Sequence, residues 1–461
     1  MFIYWNCIQD NLELSLSKLL SFKGGITIPR SKEQISQTAI ELFPAPSRVI
    51  IPLLQHNGAT AHPTVKRGDP VSIGQLIGEP SEHSSLAVHA SVSGEVLSIG
   101  LFPHPNGRQV LAVEIENNFK DDKAYTQPYD RPWQEAASQE LIQKIQQCGI
   151  AGMSGEGTPT HLKLSQPSNK TIHTVILNAC VSEPYSAADT RLLIENPEDI
   201  LNGFLILKKI TGATRAVICV DNKLQAVNQA LQARIANPEY KGISVVKLKS
   251  KYPQGAERQL IYALTKKTIQ ADGTAADTGC MVFSPSTALA VHEAIIDGLP
   301  LYQRVISVNG SSVGSPGNYL VRCGTPIRSI LESCNVDMTT TKKVISGGPM
   351  TGITQSDLDA PIIKTTTGIF ALDNTTPAIQ DYPCINCGYC VNVCPQKLVP
   401  SRIAKYVKQI NMKKAAEWNF SDCIECGACA YVCPSRINLV HFIKLAKFNA
   451  PLNTNRSGSS R

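Results

Sequence analysis

The chain has 461 residues, of which 43% are hydrophobic and 18% are charged, and its formal net charge is +7. That length is too great for one ordinary hydrophobic core and predicts three or four domains, while the composition excludes a chain that is disordered throughout. The lysines and arginines are scattered along the chain instead of forming a stripe, so we expect no nucleic-acid binding.

The sequence contains no run of about 18 apolar residues, so we predict no transmembrane span. The start, "MFIYWNCIQD", lacks the basic leader and apolar stretch of a signal peptide, which predicts a cytoplasmic location. Thiols stay reduced there, so 15 cysteines indicate metal binding or catalysis rather than disulfides. Seven cysteines are isolated in the sequence and are predicted to be buried apolar residues: Cys7, Cys148, Cys180, Cys219, Cys280, Cys323 and Cys334.

The chain opens with an N-terminal segment, residues 1–45, that contains a short predicted helix and the sequence "SFKGGITIP". Residues 46–120 contain short β-branched runs separated by turn residues, which predicts an all-β module. Its stretch "VKRGDPVSIGQLIG" resembles the barrel-sandwich hybrid of biotinyl and lipoyl carriers, but "VHASVSG" lacks the lysine that such carriers modify, so we predict a structural module. Four of its histidines are expected to be surface or turn residues rather than metal ligands: His56, His62, His83 and His89.

The middle of the chain alternates predicted strands and helices. Residues 133–300 begin with a predicted helix over 133–147 and continue with the strands "HTVILNAC", "RAVICV" and "ISVVKLK" between helical runs. This order predicts a doubly wound, Rossmann-like α/β domain with a mostly parallel sheet. Residues 301–360 return to short strands and are similar to the SLBB (soluble-ligand-binding β-grasp) type of α+β module. The tail, residues 449–461, is predicted to be disordered.

Eight cysteines form two copies of one pattern within residues 370–448. "CINCGYCVNVCP" starts at residue 384 and "CIECGACAYVCP" at residue 423, with one offset for all four pairs (423 − 384, 426 − 387, 429 − 390 and 433 − 394 each equal 39). Each copy reads C-x2-C-x2-C-x3-C-P, the pattern of two-cluster ferredoxins, in which the fourth cysteine ligates the other cluster. This predicts a ferredoxin-like domain with two [4Fe–4S] clusters, held by Cys384, Cys387, Cys390 and Cys433 and by Cys394, Cys423, Cys426 and Cys429.

Structural zinc is the alternative occupant of four-cysteine sites. Zinc sites pair two C-x2-C knuckles and do not need a third cysteine at the same spacing, so the pattern favours clusters. An amphipathic helix is predicted after each Cys-Pro pair, and its apolar face is expected to keep water from the clusters. The residues of these faces are Ile403, Val407 and Ile410 in the first copy and Val440, Ile443 and Ala446 in the second.

A second candidate site is the glycine-rich stretch "CGIAGMSGEGTPTHLKL", residues 148–164, between a predicted helix and a predicted strand. Glycine-rich turns let backbone amides approach a phosphate closely. A plain tight turn is the alternative interpretation. The motif therefore indicates a phosphate site without establishing one.

Several motifs occur together in an order that resembles one family. They are the β-module, the glycine loop, "YPQGAERQLIYAL", "GNYLVRCGTP", "VISGGPM" and the twin cysteine motifs, with "FKGGI" and "NACVSEPY" as further matches. This order is similar to the C subunit of Rnf (also called Rsx) ion-translocating electron-transport complexes, the RnfC family, and the middle domain is similar to the flavin-bearing subunit of respiratory complex I. The resemblance implies a peripheral subunit on the cytoplasmic side of the inner membrane, with other Rnf subunits as partners and NADH or ferredoxin as redox partner.

The resemblance also implies nucleotide-binding residues in the middle domain: Gly152, Gly155, Gly157, Lys163, Asn178, Glu183 and Glu257. Five positions depart from the family pattern: Ser154, Glu156, Thr158, Val181 and Ser284. Glu156 stands where alanine is usual, and a carboxylate turned towards a phosphate at about 4 Å would repel it by roughly 4 kcal/mol at an effective dielectric constant near 20. The departures leave open whether FMN and NADH bind.

Two functional hypotheses follow. The first is an electron-transfer subunit of an ion-translocating oxidoreductase, a translocase, that relays electrons through two [4Fe–4S] clusters, with its own NADH oxidation left open. The second is a scaffold or pure relay subunit that has lost flavin and NADH binding and mainly docks membrane subunits. A soluble oxidoreductase for another substrate is a third hypothesis, although no dedicated substrate pocket is recognisable. No Ser-His-Asp, Walker or H-E-x-x-H motif is present, so no catalytic side chain is predicted.

Overall fold

The computed structural model describes residues 19–28, 33–125, 127–165, 170–271, 273–373 and 382–449, with the side chains of Glu33 and Gln34 excepted. Cys7 and the predicted tail beyond residue 449 lie outside the described residues. The chain divides into two compact units. The first unit contains Met1–Pro29, Leu248–Thr274 and Pro377–Arg461, and the second contains Arg30–Lys247 and Ala275–Thr376.

Helices occur in both units. The α-helices are Glu33–Gln37, Ser138–Gln147, Thr160–Leu164, Ala188–Glu195, Pro197–Thr211, Gln225–Ile235, Glu257–Thr265, Pro285–His292, Ile327–Ser333, Tyr389–Val393, Pro400–Lys408, Met412–Ala416, Ala428–Tyr431 and Leu439–Asn449. Short 3-10 turns are Pro238–Tyr240, Ala275–Thr278 and Phe420–Asp422, and a π turn is Glu293–Asp297. Within the described residues, none of these helices has the length and apolar character needed to cross a membrane.

Two small antiparallel sheets form the β-module. One sheet has the strand order Arg48–Pro52, Gln109–Asn117, Gly94–Pro103, Pro70–Val71, and the other has His62–Pro63, Leu76–Glu79, Val88–His89. Alternate apolar residues of paired strands, such as Val49 with Ile115 and Ile51 with Val113, enter one buried core. Period-two alternation places these side chains on the same face, which is why the short β-branched runs predicted the module correctly.

Two of these four predicted surface or turn histidines are not at the surface, so the prediction is wrong for them. His56 and His89 are buried, whereas His62 and His83 are exposed. The Nε2 atom of His56 is hydrogen-bonded to the carbonyl oxygen of Ser84 at 3.0 Å. Local sequence could not show this burial, because it arises where distant segments pack on the module.

The buried histidines make stability depend on pH. Burial, with a smaller contribution from the Lys364 charge, lowers the pKa of His89 from 6.5 to about 3 and that of His56 to about 4. The unfolded chain therefore binds these protons first, and the free energy of unfolding falls as the pH decreases below about 6.5. We expect His89→Gln to lose less thermal stability than the wild type between pH 6.5 and pH 4. Equal pH dependence in both proteins would contradict this assignment.

The central sheet of the second unit has the strand order Ile243–Leu248, Arg215–Asp221, Thr174–Ala179, Cys280–Phe283. Thr174–Ala179 pairs in parallel with both of its neighbours, which confirms the predicted parallel sheet. The predicted helix over 133–147 begins later, at Ser138, because the Glu140 carboxylate accepts a hydrogen bond from the Ala137 amide at 2.9 Å and caps the helix there.

Close helix packing beside this sheet requires a glycine. A Cβ atom on Gly203, in helix Pro197–Thr211, would lie 1.8 Å from the carbonyl oxygen of Ala288 in helix Pro285–His292. We expect Gly203→Ala to lower the free energy of unfolding by about 3 kcal/mol, because the helices must separate. Asn202→Ala, on the half-buried side of the same helix, is the control and is expected to change it by less than about 0.5 kcal/mol. Chemical denaturation of both variants measures the difference, and equal stabilities would contradict the packing argument.

A six-stranded mixed sheet follows in the second unit. Its order is Ile40–Leu42, Gly317–Arg322, Gln303–Asn309, Gly368–Leu372, Lys343–Ser346, Ile353–Thr354. The edge strand Ile40–Leu42 comes from the N-terminal segment, and the Asn318 amide holds that segment by donating to the carbonyl oxygen of Ile35 at 2.7 Å. Apolar residues of helix Ile327–Ser333 join the core beneath this sheet.

In the first unit, two helices pack together beside the cysteine motifs. Ile403 and Val407 of helix Pro400–Lys408 share a core with Ile443 and Ala446 of helix Leu439–Asn449. The prediction that Ile410 belongs to this face is wrong, because Ile410 lies past the helix end, has a left-handed φ of 57° and is 84% exposed. Val440 is only half-buried, and the neighbouring Leu439 is buried instead.

Candidate functional site

The first predicted cysteine set comes together in the first unit. Its four members, from both motifs, line one cavity of about 180 Å³: Cys384, Cys387, Cys390 and Cys433. Asn386 and Gly388 adopt left-handed φ angles of 56° and 78°, which turn the chain tightly enough to direct three successive thiols inward. Pro434 and Ile437 complete the apolar side of the cavity.

The second predicted set contains a turn of the same conformation. Glu425 and Gly427 repeat the left-handed φ angles, at 56° and 74°. Burial raises the pKa of the Cys426 thiol to about 12, and the thiols of Cys423 and Cys394 add to the effect. The pKa of Cys429 is raised too, by burial and by the same neighbours. Cys394, from the first motif, packs against the same apolar core as Cys423 of the second.

The donor set of these sites fits [4Fe–4S] clusters, whose ligands are cysteine thiolates. Backbone amides also point at two of the sulfurs, since Leu398 donates to Cys394 Sγ and Glu425 donates to Cys423 Sγ, both at 3.3 Å. Such bonds suit cluster thiolates.

The two cysteine sets differ in their access to solvent. Cys384 and Cys387 are exposed, whereas Cys426 and Cys429 of the second set are 8% and 7% exposed. Apolar residues that include Leu439 pack on Cys390 and Cys429 and keep part of each site dry. The first set is therefore the more exposed to solvent of the two.

The glycine loop is closed by its own hydrogen bonds. The Gly152 amide donates to the Thr158 carbonyl at 2.8 Å, and the Gly157 amide donates back to the Gly152 carbonyl at 3.1 Å. Gly155 and Gly157 have φ angles of 89° and 70°, in the left-handed region that favours glycine. Two of the amides expected at a phosphate therefore have partners within the loop.

Glu156 contacts the lysine that the resemblance assigned to the nucleotide. Its carboxylate lies 3.4 Å from Lys163 Nζ and accepts a hydrogen bond from the Thr158 hydroxyl at 2.9 Å. The side chain of Lys163 is 15% exposed and that of Glu156 is 44% exposed. Lys163 is thus neutralised from inside the loop, and this arrangement does not fit the phosphate of FMN.

Glu183, which the resemblance also assigned to the nucleotide, is hydrogen-bonded within the protein. The Glu183 carboxylate accepts hydrogen bonds from the Met350 amide at 3.1 Å and from the Thr351 hydroxyl at 2.6 Å. A Cβ atom on Gly348, within "VISGGPM", would lie 2.3 Å from Glu183 Cδ, so a larger residue there would displace the Glu183 carboxylate. From the sequence, that motif indicates only the family, and nothing in it predicts Thr351 as a partner of Glu183.

The remaining predicted positions have different surroundings. Asn178 accepts a hydrogen bond from the Cys180 amide at 3.2 Å. Ser284, one of the departures from the family pattern, caps helix Pro285–His292 by accepting from the Thr287 amide at 3.2 Å. Glu257 begins helix Glu257–Thr265 and belongs to the first unit, whereas the other predicted nucleotide residues belong to the second.

Comparison with known proteins identifies the family. Residues 20–120 match the family model described as "RnfC Barrel sandwich hybrid domain". The C subunit of the proton-translocating ferredoxin:NAD(+) oxidoreductase complex of Clostridium ljungdahlii is 39% identical over 432 residues, covering 93% of this chain and 94% of the relative. The C subunit of the Na(+)-translocating ferredoxin:NAD(+) oxidoreductase complex of Acetobacterium woodii is also 39% identical over 432 residues, covering 93% and 96%. The chain belongs to the RnfC family.

Two further family models match parts of this RnfC-family chain. Residues 145–293 match "Nuo51 FMN-binding domain", and residues 383–437 match "4Fe-4S dicluster domain". The predicted barrel-sandwich module, the domain similar to the complex I flavoprotein and the two-cluster ferredoxin-like domain are therefore confirmed. A solved NAD+-reducing [NiFe]-hydrogenase in the H2-reduced state covers 68% of this chain and 62% of its own at 17% identity, but its TM-score of 0.49 is too low to support any argument.

Proposed function

We propose that this RnfC-family chain is the peripheral electron-transfer subunit of an Rnf-type, ion-translocating ferredoxin:NAD+ oxidoreductase complex, on the cytoplasmic side of the membrane. The observation that carries the proposal is the gathering of Cys433 with three cysteines of the other motif around one cavity. The names of both bacterial relatives, which are C subunits of such complexes, support it. Other Rnf subunits are the proposed partners, with ferredoxin or NADH as the redox partner of the complex.

The proposed ligands are the two crossed cysteine sets. Cys384, Cys387, Cys390 and Cys433 hold one [4Fe–4S] cluster, and Cys394, Cys423, Cys426 and Cys429 hold the other. Bound clusters of this kind accept and release one electron at a time. The protein contributes the thiolates, the amides that donate to Cys394 and Cys423, and an apolar cover that limits water.

The open side of the first cysteine set is proposed to exchange electrons with a partner. Cys384 and Cys387 are exposed, and the apolar side chains of Ile385 and Tyr389 next to them are 66% and 55% exposed. A partner that covers these side chains would exclude water and approach the first set closely. The more buried second set would then pass electrons to or from the first.

Flavin binding is proposed to be weakened in this chain. The FMN-binding family fold is present, but Glu156 neutralises Lys163 and the loop amides of Gly152 and Gly157 are bonded internally. No step of electron transfer is therefore assigned to FMN here. The glycine loop, Asn178 and Glu183 remain the proposed surroundings of any nucleotide that binds to the second unit.

Finer domain assignments are also proposals. We place the barrel-sandwich module at 46–120, the α/β domain at 133–300, the SLBB-like module at 301–360 and the ferredoxin-like domain at 370–448. Four of the six strands of the mixed sheet lie within 301–360, which supports an SLBB-like module there. The edge strand Ile40–Leu42 and the central strand Gly368–Leu372 come from outside that range.

Substituting one ligand in the assembled complex tests the relay against the scaffold alternative. Cys390→Ser is expected to abolish electron flow from reduced donor to acceptor in membranes that contain the complex, because a cluster in the path is lost. Cys334→Ser, at a buried cysteine of the second unit, is the matched control and is expected to keep that flow. Normal assembly with normal electron flow in Cys390→Ser would favour the scaffold.

A further inference from the structure

Two family motifs that the electron relay does not use meet beside the second cysteine set. "FKGGI" begins at residue 22, and "KYPQGAE" begins at residue 251. Ile26 and Tyr252 exchange backbone hydrogen bonds at 2.8 and 2.9 Å, and the Gly25 amide donates to the Val393 carbonyl at 2.8 Å. All of these residues belong to the first unit. Segments separated by more than 100 residues therefore converge on the peptide that precedes Cys394.

The glycine pair makes this approach possible. Gly24 has a φ of 83°, and a Cβ atom on it would lie 2.9 Å from the carbonyl oxygen of Cys394. Gly25 has a φ of 76°, and its Cβ atom would lie 2.6 Å from the carbonyl oxygen of Tyr252. The left-handed backbone favours glycine at both positions, and the close backbone oxygens leave no space for a larger residue. The chain thus lies in direct contact with the backbone of a predicted ligand.

Lys251 and Tyr252 fix this contact with polar groups. Lys251 Nζ donates to the carbonyl oxygens of Phe22 and Gly24, the latter at 2.8 Å, and lies 3.8 Å from the centre of the Phe22 ring. The Tyr252 hydroxyl donates to the carbonyl oxygen of Cys426 at 2.6 Å and is buried. Residues 22–26 and 251–252, which we call the clasp, therefore touch the peptides of two of the four cysteines.

A cation in the clasp acts on the charge of the site. Lys251 contacts neutral carbonyl oxygens, so its charge is not cancelled by these partners. Lys447, which also reaches this set by donating to the Cys423 carbonyl at 2.6 Å, is instead paired with Glu425 at 2.9 Å. Four thiolates make a bound cluster anionic, and reduction adds one more negative charge. A nearby cation and hydrogen bonds around the ligands favour the reduced state.

We propose that Lys251 and Tyr252 are positioning residues that raise the reduction potential of the cluster held by Cys394, Cys423, Cys426 and Cys429, an inference that rests on the proposed function. The Gly24–Gly25 turn places both residues. Among the residues that the structure describes, the clasp hydrogen bonds given above reach the second set and not the first. One cluster is therefore tuned by chain segments that lie outside the ferredoxin-like domain.

Redox titration of the anaerobically prepared full chain, followed by EPR, tests the clasp. In Lys251→Met, the ratio of reduced to oxidised second cluster at a fixed ambient potential is expected to fall about tenfold, which corresponds to a midpoint about 59 mV more negative. The midpoint of the other cluster is expected to stay unchanged. Lys251→Arg should restore the wild-type value. Lys249→Met, which removes an exposed charge two residues away, should also leave both midpoints unchanged, because solvent screens that charge.

A second variant distinguishes a change in reduction potential from a loss of structure. Tyr252→Phe removes one hydroxyl and keeps the ring, and it is expected to shift the same midpoint downwards with iron content unchanged. The shifted cluster must be the one that disappears in Cys426→Ser. Two intact clusters with unaltered midpoints in both Lys251→Met and Tyr252→Phe, or equal shifts of both clusters, would overturn the clasp proposal. A wild-type chain that holds no cluster would instead overturn the proposed function.

Discussion

Cys433→Ser is expected to abolish one of the two clusters. The cluster lost is the one whose other three ligands, Cys384, Cys387 and Cys390, come from the first motif. The structure places Cys433 around the same cavity as these three cysteines. Loss of one thiolate from an exposed site should release that cluster, so the iron content should fall from about eight to about four per chain. Cys394→Ser should remove the other cluster to the same extent. Iron analysis and EPR of the reduced protein measure both changes.

Double variants decide whether the ligands cross between motifs. Cys433→Ser combined with Cys387→Ser affects a single cluster in our assignment, so the iron content should stay near four per chain. Cys433→Ser combined with Cys423→Ser affects both clusters and should remove nearly all iron. If the ligands did not cross, these two outcomes would be exchanged, and the assignment of Cys433 and Cys394 would be wrong.

Glu156→Gln is expected to strengthen FMN binding about tenfold, which corresponds to about 1.4 kcal/mol. The substitution removes the carboxylate that lies 3.4 Å from Lys163, and with it a negative charge that would repel a phosphate at this loop. We expect tenfold rather than the larger effect calculated for a carboxylate turned towards the phosphate, because the Glu156 side chain is 44% exposed and solvent screens its charge. Quenching of flavin fluorescence on titration with the full chain measures the affinity.

Riboflavin and a second variant provide controls for that prediction. Riboflavin lacks the phosphate, so Glu156→Gln should bind it no more tightly than the wild type does. Glu135→Gln, an exposed glutamate elsewhere in the second unit, removes the same charge and should leave the affinity for FMN unchanged. An unchanged affinity of Glu156→Gln for FMN would show that Glu156 does not block the phosphate.

The cysteine region was the most predictable part of the molecule. Its predicted ligands lie within short loops, so residue spacing alone restricts which thiols can meet, and the repeat of 39 positions predicts the crossing of Cys394 and Cys433. The barrel-sandwich module was predictable for a similar reason, because alternation along each strand determines which residues enter its core. Local patterns were sufficient in both cases.

Other features depend on contacts that local patterns do not contain. The direction of Glu156 could not be predicted, since it depends on a side-chain rotamer and on the position of Lys163. The burial of His56 and His89 arises from segments distant in sequence, and Ile410 leaves the predicted apolar face because its helix ends at Lys408. The clasp likewise joins residues 22–26 to residues 251–252 and could only be recognised once the chain was folded.

Metal and sulfide analysis combined with an EPR-monitored redox titration of the anaerobically purified chain is the most direct test of the electron relay. We expect about eight irons and eight sulfides per chain and two separate one-electron reductions. Zinc in place of iron, or clusters that dithionite cannot reduce, would contradict a relay through these eight cysteines.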